Sequence, residues 1–562
     1  MGVRRRRAQV EASGRSDEVS DSDSPPLEPS TSQQVPARSD RRRRQRAGRR
    51  CSPSGRSELV LLLDVEQLIV ETLHLIRSSS SSEQEAPLSM LKLNLIADKE
   101  HGWSLIVRTM IRTIPADDPL GPAVVTLFLD ESPLPTRTAI GRLLLQLDLG
   151  RHASAGDRPP VWHRNTAIVL GCLAEKLAGS SSVAMFKADL LDYLLHNLAP
   201  RNDVGVILFS LIALEKFAKT TENRVAINER LLSLRENPLL ELERWLESEE
   251  EEKETQATAD AAPQIFLRRQ VAFCAQWCLD NLFEQPGRTY GFELVSTAGT
   301  NAMLNADDVS EYLKVAPSGL EARCDVSSFE SARSTFHVDE GLWYYEAEVV
   351  TAGVMQIGWA TKDSKFFNHE GYGIGDDAFS VAYDGCRQLV WHRASYKQAS
   401  VASRMDPWKA GDVVGCLLDV DNCCVEFSLN GVPVQPQHAS IFQGARRGFF
   451  AAASFMSFQQ CRFNFGNRPF RFAPAGRPFK SFNDFGSLTD EQRRVLPRRH
   501  RLEQLRQSSV DENACKICCA QAAAVLLAPC GHNGLCASCS MMLENCPFCR
   551  LPIVQRTADR TA

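Results

Sequence analysis

Eight of the chain's eighteen cysteines fall between Cys515 and Cys549, with His532 among them. They are arranged as pairs: Cys515 and Cys518, Cys530 and His532, Cys536 and Cys539, Cys546 and Cys549. Thiolates and imidazoles one or two residues apart suit a tetrahedral zinc site, because a tight turn aims both at one ion. Four such pairs suffice for two ions. The competing interpretations are a disulfide knot or a nucleic-acid-binding zinc finger. Cys519 adjoins Cys518 outside the spacing and reads as a spare thiol.

The 562 residues are enough for about three domains. A net charge of -5, with 43% hydrophobic and 24% charged residues, gives no chain-wide bias toward nucleic acid or membrane. No apolar run approaches the roughly 18 residues of a membrane span. Leu59 to Leu63 is short, is followed by Asp64 and Glu66, and lies too far from Met1 for a signal peptide. Arg6 stands where a myristoylation motif needs Ser or Thr. The expectation is an intracellular protein in the cytoplasm, with the nucleus as the alternative. The ten cysteines outside the cluster are expected to be reduced, buried thiols.

Residues 1–57 read as a disordered basic tail without apolar periodicity. Its runs Arg4 to Arg7 and Arg41 to Arg50 fit a solvated tail better than a nuclear-localisation or nucleic-acid-binding element. Residues 58–285 read as helical, with Leu59, Leu62, Leu63, Val65, Leu68, Ile69, Thr72, Leu73 and Ile76 near a 3.6 period. Ser78 to Glu85 is a polar linker. Asn165 to Leu177, Val206 to Phe217 and Gln270 to Phe283 look like helices of an armadillo or HEAT solenoid, with an ordinary bundle as the alternative. The acidic run Glu247 to Glu254 reads as a surface loop inside this domain.

Residues 290–485 change character. Trp343–Val350, Gly353–Ala360, Phe379–Tyr383, Gln388–Trp391, Val413–Val420 and Val425–Leu429 are short aromatic or β-branched runs, as in an antiparallel sandwich with its core at about 335–470. Asn430-Gly431 predicts a hairpin. Asp376-Asp377 reads as a turn and strand cap rather than a catalytic or metal pair. Trp343, Trp359, Trp391 and Trp408 are expected in the core. A basic helical linker, 488–510, opens on the Thr489/Gln492 capping pair, and the zinc module covers 515–550.

Seven pieces of the sandwich resemble the SPRY domain, in order: Trp343-Tyr344-Tyr345-Glu346, Gly358-Trp359-Ala360, Gly373 to Asp377, Ser380 to Gly385, Trp408 to Asp412, Phe427 to Gly431, and Phe463-Asn464-Phe465-Gly466. The cysteine cluster resembles a RING finger with seven cysteines and one histidine. With the helices before them, these modules resemble the RING finger and SPRY domain-containing protein family over about residues 58–562. The expected fold is thus multidomain: disordered basic tail, α-helical armadillo- or HEAT-like domain, all-β SPRY sandwich and a small RING zinc module.

The resemblance implies an interleaved ligand set. Cys515, Cys518, Cys536 and Cys539 hold one zinc ion, and Cys530, His532, Cys546 and Cys549 the other. Both ions are structural, since all four ligands come from protein, and they supply folding free energy that so small a module lacks. The implied activity is that of a RING-type ubiquitin ligase. It would bind a ubiquitin-conjugating enzyme through Ile517, Leu527, Pro529 and Pro547, with Arg550 bridging that enzyme and ubiquitin. No catalytic residue is nominated, because the active cysteine belongs to the conjugating enzyme. A protein substrate or adaptor would dock on the SPRY loops, with no small-molecule substrate, nucleic acid or membrane span expected. The alternatives are a non-catalytic zinc-binding scaffold and a nuclear nucleic-acid binder acting through the tail. Only Ile553 and Val554 after the last ligand suggest self-association.

Overall fold

The computed structural model describes residues 53–78, 87–150, 158–177, 179–246, 262–366, 371–398, 406–445, 447–507, 515–518 and 521–558. Residues 1–52 of the expected tail, the acidic run 247–254 and Cys519 lie outside them, and residues 53–57, expected in the tail, are instead the start of the first helix.

Helices come first: α1 (Pro53–Ser78), α2 (Leu88–Ala97), α3 (Glu100–Thr113), α4 (Gly121–Glu131), α5 (Arg137–Leu147), α6 (Pro160–Leu177), α7 (Gly179–Met185), α8 (Ala188–Asn197), α9 (Val204–Phe217), α10 (Thr221–Ser233), α11 (Pro238–Glu243), α12 (Ala262–Asn281) and the single turn α13 (Gly291–Leu294). α9 is the centre of this region. Apart from Ser210 and the Glu215-Lys216 pair it is apolar round its circumference, so it needs cover on every side, and residues Gly205 through Phe217 are all buried. α6 and α12 supply most of that cover. Gly171 lets α6 approach closely, since a Cβ there would lie 3.2 Å from Ala213 Cα. Asp203 starts α9, its Oδ1 accepting from the Gly205 and Val206 N–H groups at 2.9 and 3.2 Å. Buried Asn165 donates to the carbonyls of Ile111 and Ile114, which satisfies the end of α3. Among the described residues no helix is long and apolar enough to cross a membrane.

Fifteen strands follow: β1 (Leu304–Val309), β2 (Lys314–Val315), β3 (Glu321–Cys324), β4 (Glu330–Val338), β5 (Leu342–Val349), β6 (Met355–Ala360), β7 (Ser380–Asp384), β8 (Leu389–His392), β9 (Ser395–Gln398), β10 (Val413–Asp419), β11 (Cys424–Leu429), β12 (Val432–His438), β13 (Phe449–Phe455), β14 (Gln459–Asn464) and β15 (Lys480–Ser481). One sheet runs β1-β4-β13-β6-β7-β8-β9, the other β12-β11-β10-β5-β14-β3-β2, with β15 against β5. Asn430 and Gly431 adopt φ of 50° and 78°, and Leu429 faces Val432, the geometry of a two-residue hairpin. Trp359 is fully buried, with Tyr345 edge-on to it at 5.2 Å. Trp343, Trp391 and Trp408 are buried too. Asp376 accepts from the Gly373 N–H and Asp377 from the Phe379 N–H, each at 2.8 Å, so both carboxylates serve turns.

Strands β1 to β4 precede the first strand read from the sequence. β3 explains why they are hard to read, because Glu321, Ala322, Arg323 and Cys324 are all buried. One face of β3 packs on the sandwich core and the other on the helices, so its polar residues Glu321 and Arg323 are as buried as Ala322 and Cys324, and the alternation in this four-residue strand does not mark a solvent face. At this junction Phe209 of α9 meets Phe458 at 5.3 Å. A buried polar network surrounds the contact. Lys314 pairs with Glu215 of α9 and with Asp325, the latter at 2.7 Å. Arg323 binds Asp325 at 2.8 Å and donates to Gln270 of α12 and to Gln460. Arg269 of α12 clasps Glu321. The three cations face three carboxylates, which is what makes charge tolerable in so dry a place.

Beyond the sandwich come the short α14 (Phe482–Phe485) and α15 (Arg498–Gln507). Thr489 and Gln492 do exchange the expected reciprocal hydrogen bonds, at 3.0 and 3.3 Å. They close an isolated turn, however, and the helix begins only at Arg498. Pro497 sets that boundary, since it lacks an N–H and disfavours helical backbone at Leu496. The final module contains β16 (Val525–Ala528), β17 (His532–Leu535), α16 (Ala537–Met541) and β18 (Gln555–Ala558), with sheet order β17-β16-β18. Outside that module, Cys172, Cys274, Cys278, Cys324, Cys386, Cys416 and Cys461 are buried free thiols. Cys423 departs from expectation and is exposed, because it sits in the turn joining β10 to β11.

Candidate metal centre and docking surfaces

The pairs of the cysteine cluster are used in alternation. Cys515, Cys518, Cys536 and Cys539 gather in one group, and Cys530, His532, Cys546 and Cys549 in a second. Within each group the ligand atoms lie within 4.8 Å of one another. β16 and β17 bring the pairs together: their antiparallel pairing sets Leu527 opposite His532 and Val525 opposite Leu535, just before Cys536. Cys536 also caps α16, accepting from the Cys539 N–H at 3.4 Å. Backbone N–H groups, that of Cys518 foremost, hold the Cys515 thiol down to about 6. The buried Nδ1 of His532 meets no protein hydrogen-bond partner. A buried ring nitrogen with no hydrogen-bond partner, on a histidine that shares a ligand group with three thiols, suits a metal donor. The two groups fit two tetrahedral zinc ions, and zinc bound there is structural, bracing the loops.

The loops so braced meet on one side of the module. A Cβ on Gly534 would lie 3.1 Å from the Phe548 ring and 3.4 Å from Lys516 Cγ, so Gly534 is where the two zinc loops come together. Ile517, in the first loop, is 47% exposed. Pro547 and Arg550, in the second, are exposed as well, as is Pro529. Leu527 is different. It is fully buried, pointing inward from β16 into the module's own core, so its side chain is not part of the surface expected for it. Strand alternation is the reason: Leu526, its neighbour, is the residue that faces out. Sequence reading also passed over Phe548. This ring is 46% exposed and stacks on His532 at 5.5 Å. Its signal was its place beside Pro547 inside the last ligand pair.

The two ends of the sandwich differ in access. At one end Phe458 meets α9, and Gly411 approaches Phe266 of α12 so closely that a Cβ would sit 3.0 Å from that ring. That end is covered by helices. The opposite end presents Asp339 and Glu340 between β4 and β5, Arg393 between β8 and β9, and Asp421 and Asn422 between β10 and β11, all exposed.

Comparison with known families matches the SPRY domain to residues 342–468 and the C3HC4-type RING zinc finger to residues 511–556. The E3 ubiquitin-protein ligase RKP of Arabidopsis thaliana is 34% identical over 155 residues, 26% of this chain and 11% of that protein. The ATP-dependent RNA helicase DDX1 of Xenopus laevis is 27% identical over 184 residues, 31% of this chain and 23% of that protein. The chain therefore spans less than a quarter of the length of either relative. Among solved structures, the SPRY domain of human HERC1 is 14% identical, with a TM-score of 0.23, and covers 28% of this chain and 96% of that one. The SPRY match lies in the sandwich and the RING-type zinc-finger match, beyond it, in the cysteine-rich module.

Proposed function

We propose that the chain is a RING-type ubiquitin ligase that positions a charged ubiquitin-conjugating enzyme for transfer to a lysine of a protein held by the SPRY domain. The observation that carries this reading is the exposed surface of Ile517, Pro547 and Phe548 on two adjoining zinc-braced loops. An apolar surface of this kind suits a shallow contact with a partner's loops. Arg550 stands exposed at its rim, and its planar fork can donate to carbonyls of the conjugating enzyme and of ubiquitin at once. The module holds the partner's thioester in an attack-ready geometry. Catalysis is then positioning, with the substrate lysine as nucleophile and no covalent intermediate on this chain. The partner protein docks on the uncovered end of the sandwich, around Asp339, Arg393 and Asp421.

The test is discharge of ubiquitin from a charged conjugating enzyme onto free lysine. The parent chain should accelerate discharge, and Ile517→Ala and Arg550→Ala should each abolish most of that acceleration while zinc content stays constant. Equal rates for parent and variants would favour the non-catalytic scaffold.

A further inference from the structure

α15 joins the sandwich to the RING module, and it is not loose. Arg498 N–H donates to Asn281 at 2.9 Å, and Arg499 reaches Glu284 at 2.8 Å, both at the end of the helical region. Arg501 reaches Asp307 of β1 at 3.0 Å, and Arg498 lies 3.8 Å from Glu311. The His500 ring stands edge-on to Tyr290 at 4.7 Å and to Phe292 at 5.8 Å. The helix is therefore seated on the seam between helices and sandwich. The turn before it is pinned too, by Arg493 donating to the Thr300 carbonyl and to Asn301.

This seat is polar and shallow. Arg498, Arg499 and Arg501 remain 69%, 61% and 42% exposed, and Leu502 is 47% exposed. Exposed ion pairs of this kind are individually weak and screened by salt. Seven residues, 508–514, connect the helix to Cys515. Such a tether reaches at most about 28 Å, even fully extended.

We propose that α15 is a positioning strut: seated through Arg499, His500 and Arg501, it holds the RING module within a fixed radius of the sandwich and so selects which lysines can receive ubiquitin. Release of the strut adds its own length, about 15 Å as a helix, to that radius. The selection of lysines rests on the ligase reading above, whereas the seating does not.

The experiment uses the full chain with spectroscopic labels at Val432 and Gln555, read by pulsed distance measurement. Three forms are compared: the parent, Arg499→Glu with Arg501→Glu, and the charge swap that adds Glu284→Arg and Asp307→Arg. The parent should give a distance distribution bounded by the reach of the seven-residue tether. Charge reversal should broaden it by about the freed helix length, and the swap should narrow it again. Self-ubiquitinated lysines, mapped by mass spectrometry, should spread along the chain in the reversal and contract in the swap, with discharge onto free lysine equal in all three. An unchanged distribution on reversal, or a lysine map that does not follow the distribution, overturns the strut. Absence of discharge in the parent overturns the ligase reading and leaves the distance result to decide the seating.

Discussion

Arg269 and Glu321 clasp each other across the junction of α12 and β3, with Nε 2.8 Å from Oε1 and the second guanidinium nitrogen on Oε2. Their side chains are only 13% and 5% exposed. Neither belongs to the zinc module or to the end of the sandwich open to partners. Their role is to join the helices to the sandwich, and that fixes which end of the sandwich remains accessible.

Breaking this pair from one side leaves the buried Glu321 charge only the neutral Gln460 amide and the more distant Arg462, 4.0 Å away. Arg269→Ala should lower stability by about 3–5 kcal/mol. Arg269→Met with Glu321→Leu should recover most of the loss, because apolar groups of similar size leave no charge unpaired. Chemical denaturation of the full chain reads both. A single variant as stable as the parent contradicts the assignment.

The same pair sets a pH dependence. Burial alone raises the Glu321 carboxyl, but the charge and hydrogen bonds of Arg269, with the Arg462 charge and the Gln460 hydrogen bond, together outweigh it and hold the group below its ordinary value of 4.5. A carboxyl whose pKa is lower in the folded state stabilises the fold above the unfolded value and loses that contribution as pH falls through the folded one. Stability should therefore decline below about pH 4.5. The decline should be shallower in the Arg269→Met, Glu321→Leu double variant, measured by thermal melts along a pH series.

Zinc removal should act locally. A chelator strong enough to strip both ions should unfold residues 515–558 and leave the helices and sandwich intact, because the large core of those regions contains none of the ligands. Metal analysis should give two zinc ions per chain. Loss of dispersed amide signals from the whole molecule on chelation would argue against a self-contained module.

Gly358 offers a sharp test of the sandwich. A Cβ there would lie 2.1 Å from the Val381 carbonyl oxygen and 2.8 Å from Ala382 Cα on the neighbouring β7, backbone atoms with no flexible group to yield. Gly358→Ala should cost about 1–3 kcal/mol or more. It should disturb β6 and β7 first, as seen by amide exchange at Trp359 and Val381. Wild-type exchange there would refute the close approach.

Phe548→Ala separates docking from folding. The ring is half in solvent and stacks on a zinc ligand rather than sealing the core. The variant should keep both ions and slow ubiquitin discharge roughly tenfold, equivalent to about 1.4 kcal/mol. Loss of zinc in the variant would show that the ring is structural instead.

Legibility in the sequence followed locality. The spacing of Cys515, Cys518, His532 and their fellows, the Asn430-Gly431 turn and the tryptophans of the sandwich are set by neighbours a few residues away, and each was readable. Leu527, expected at the surface, is buried because its facing depends on the pairing of β16 with β17 and β18, not on its distance from Cys530. β1 to β4 left little trace because polar residues such as Arg323 and Glu321 are satisfied by partners from 50 or more residues away, as Gln270 and Arg269 show.

The sequence by itself determined the identity of the modules, their order and the eight zinc donors, since short-range geometry is written in residue type and spacing. Only the tertiary structure decided which end of the sandwich is covered, which face of β16 looks outward and where α15 is seated. Those outcomes depend on charges and rings far apart in the chain meeting in a buried or half-buried place, where each polar group must find a partner and the partner's position comes from the fold.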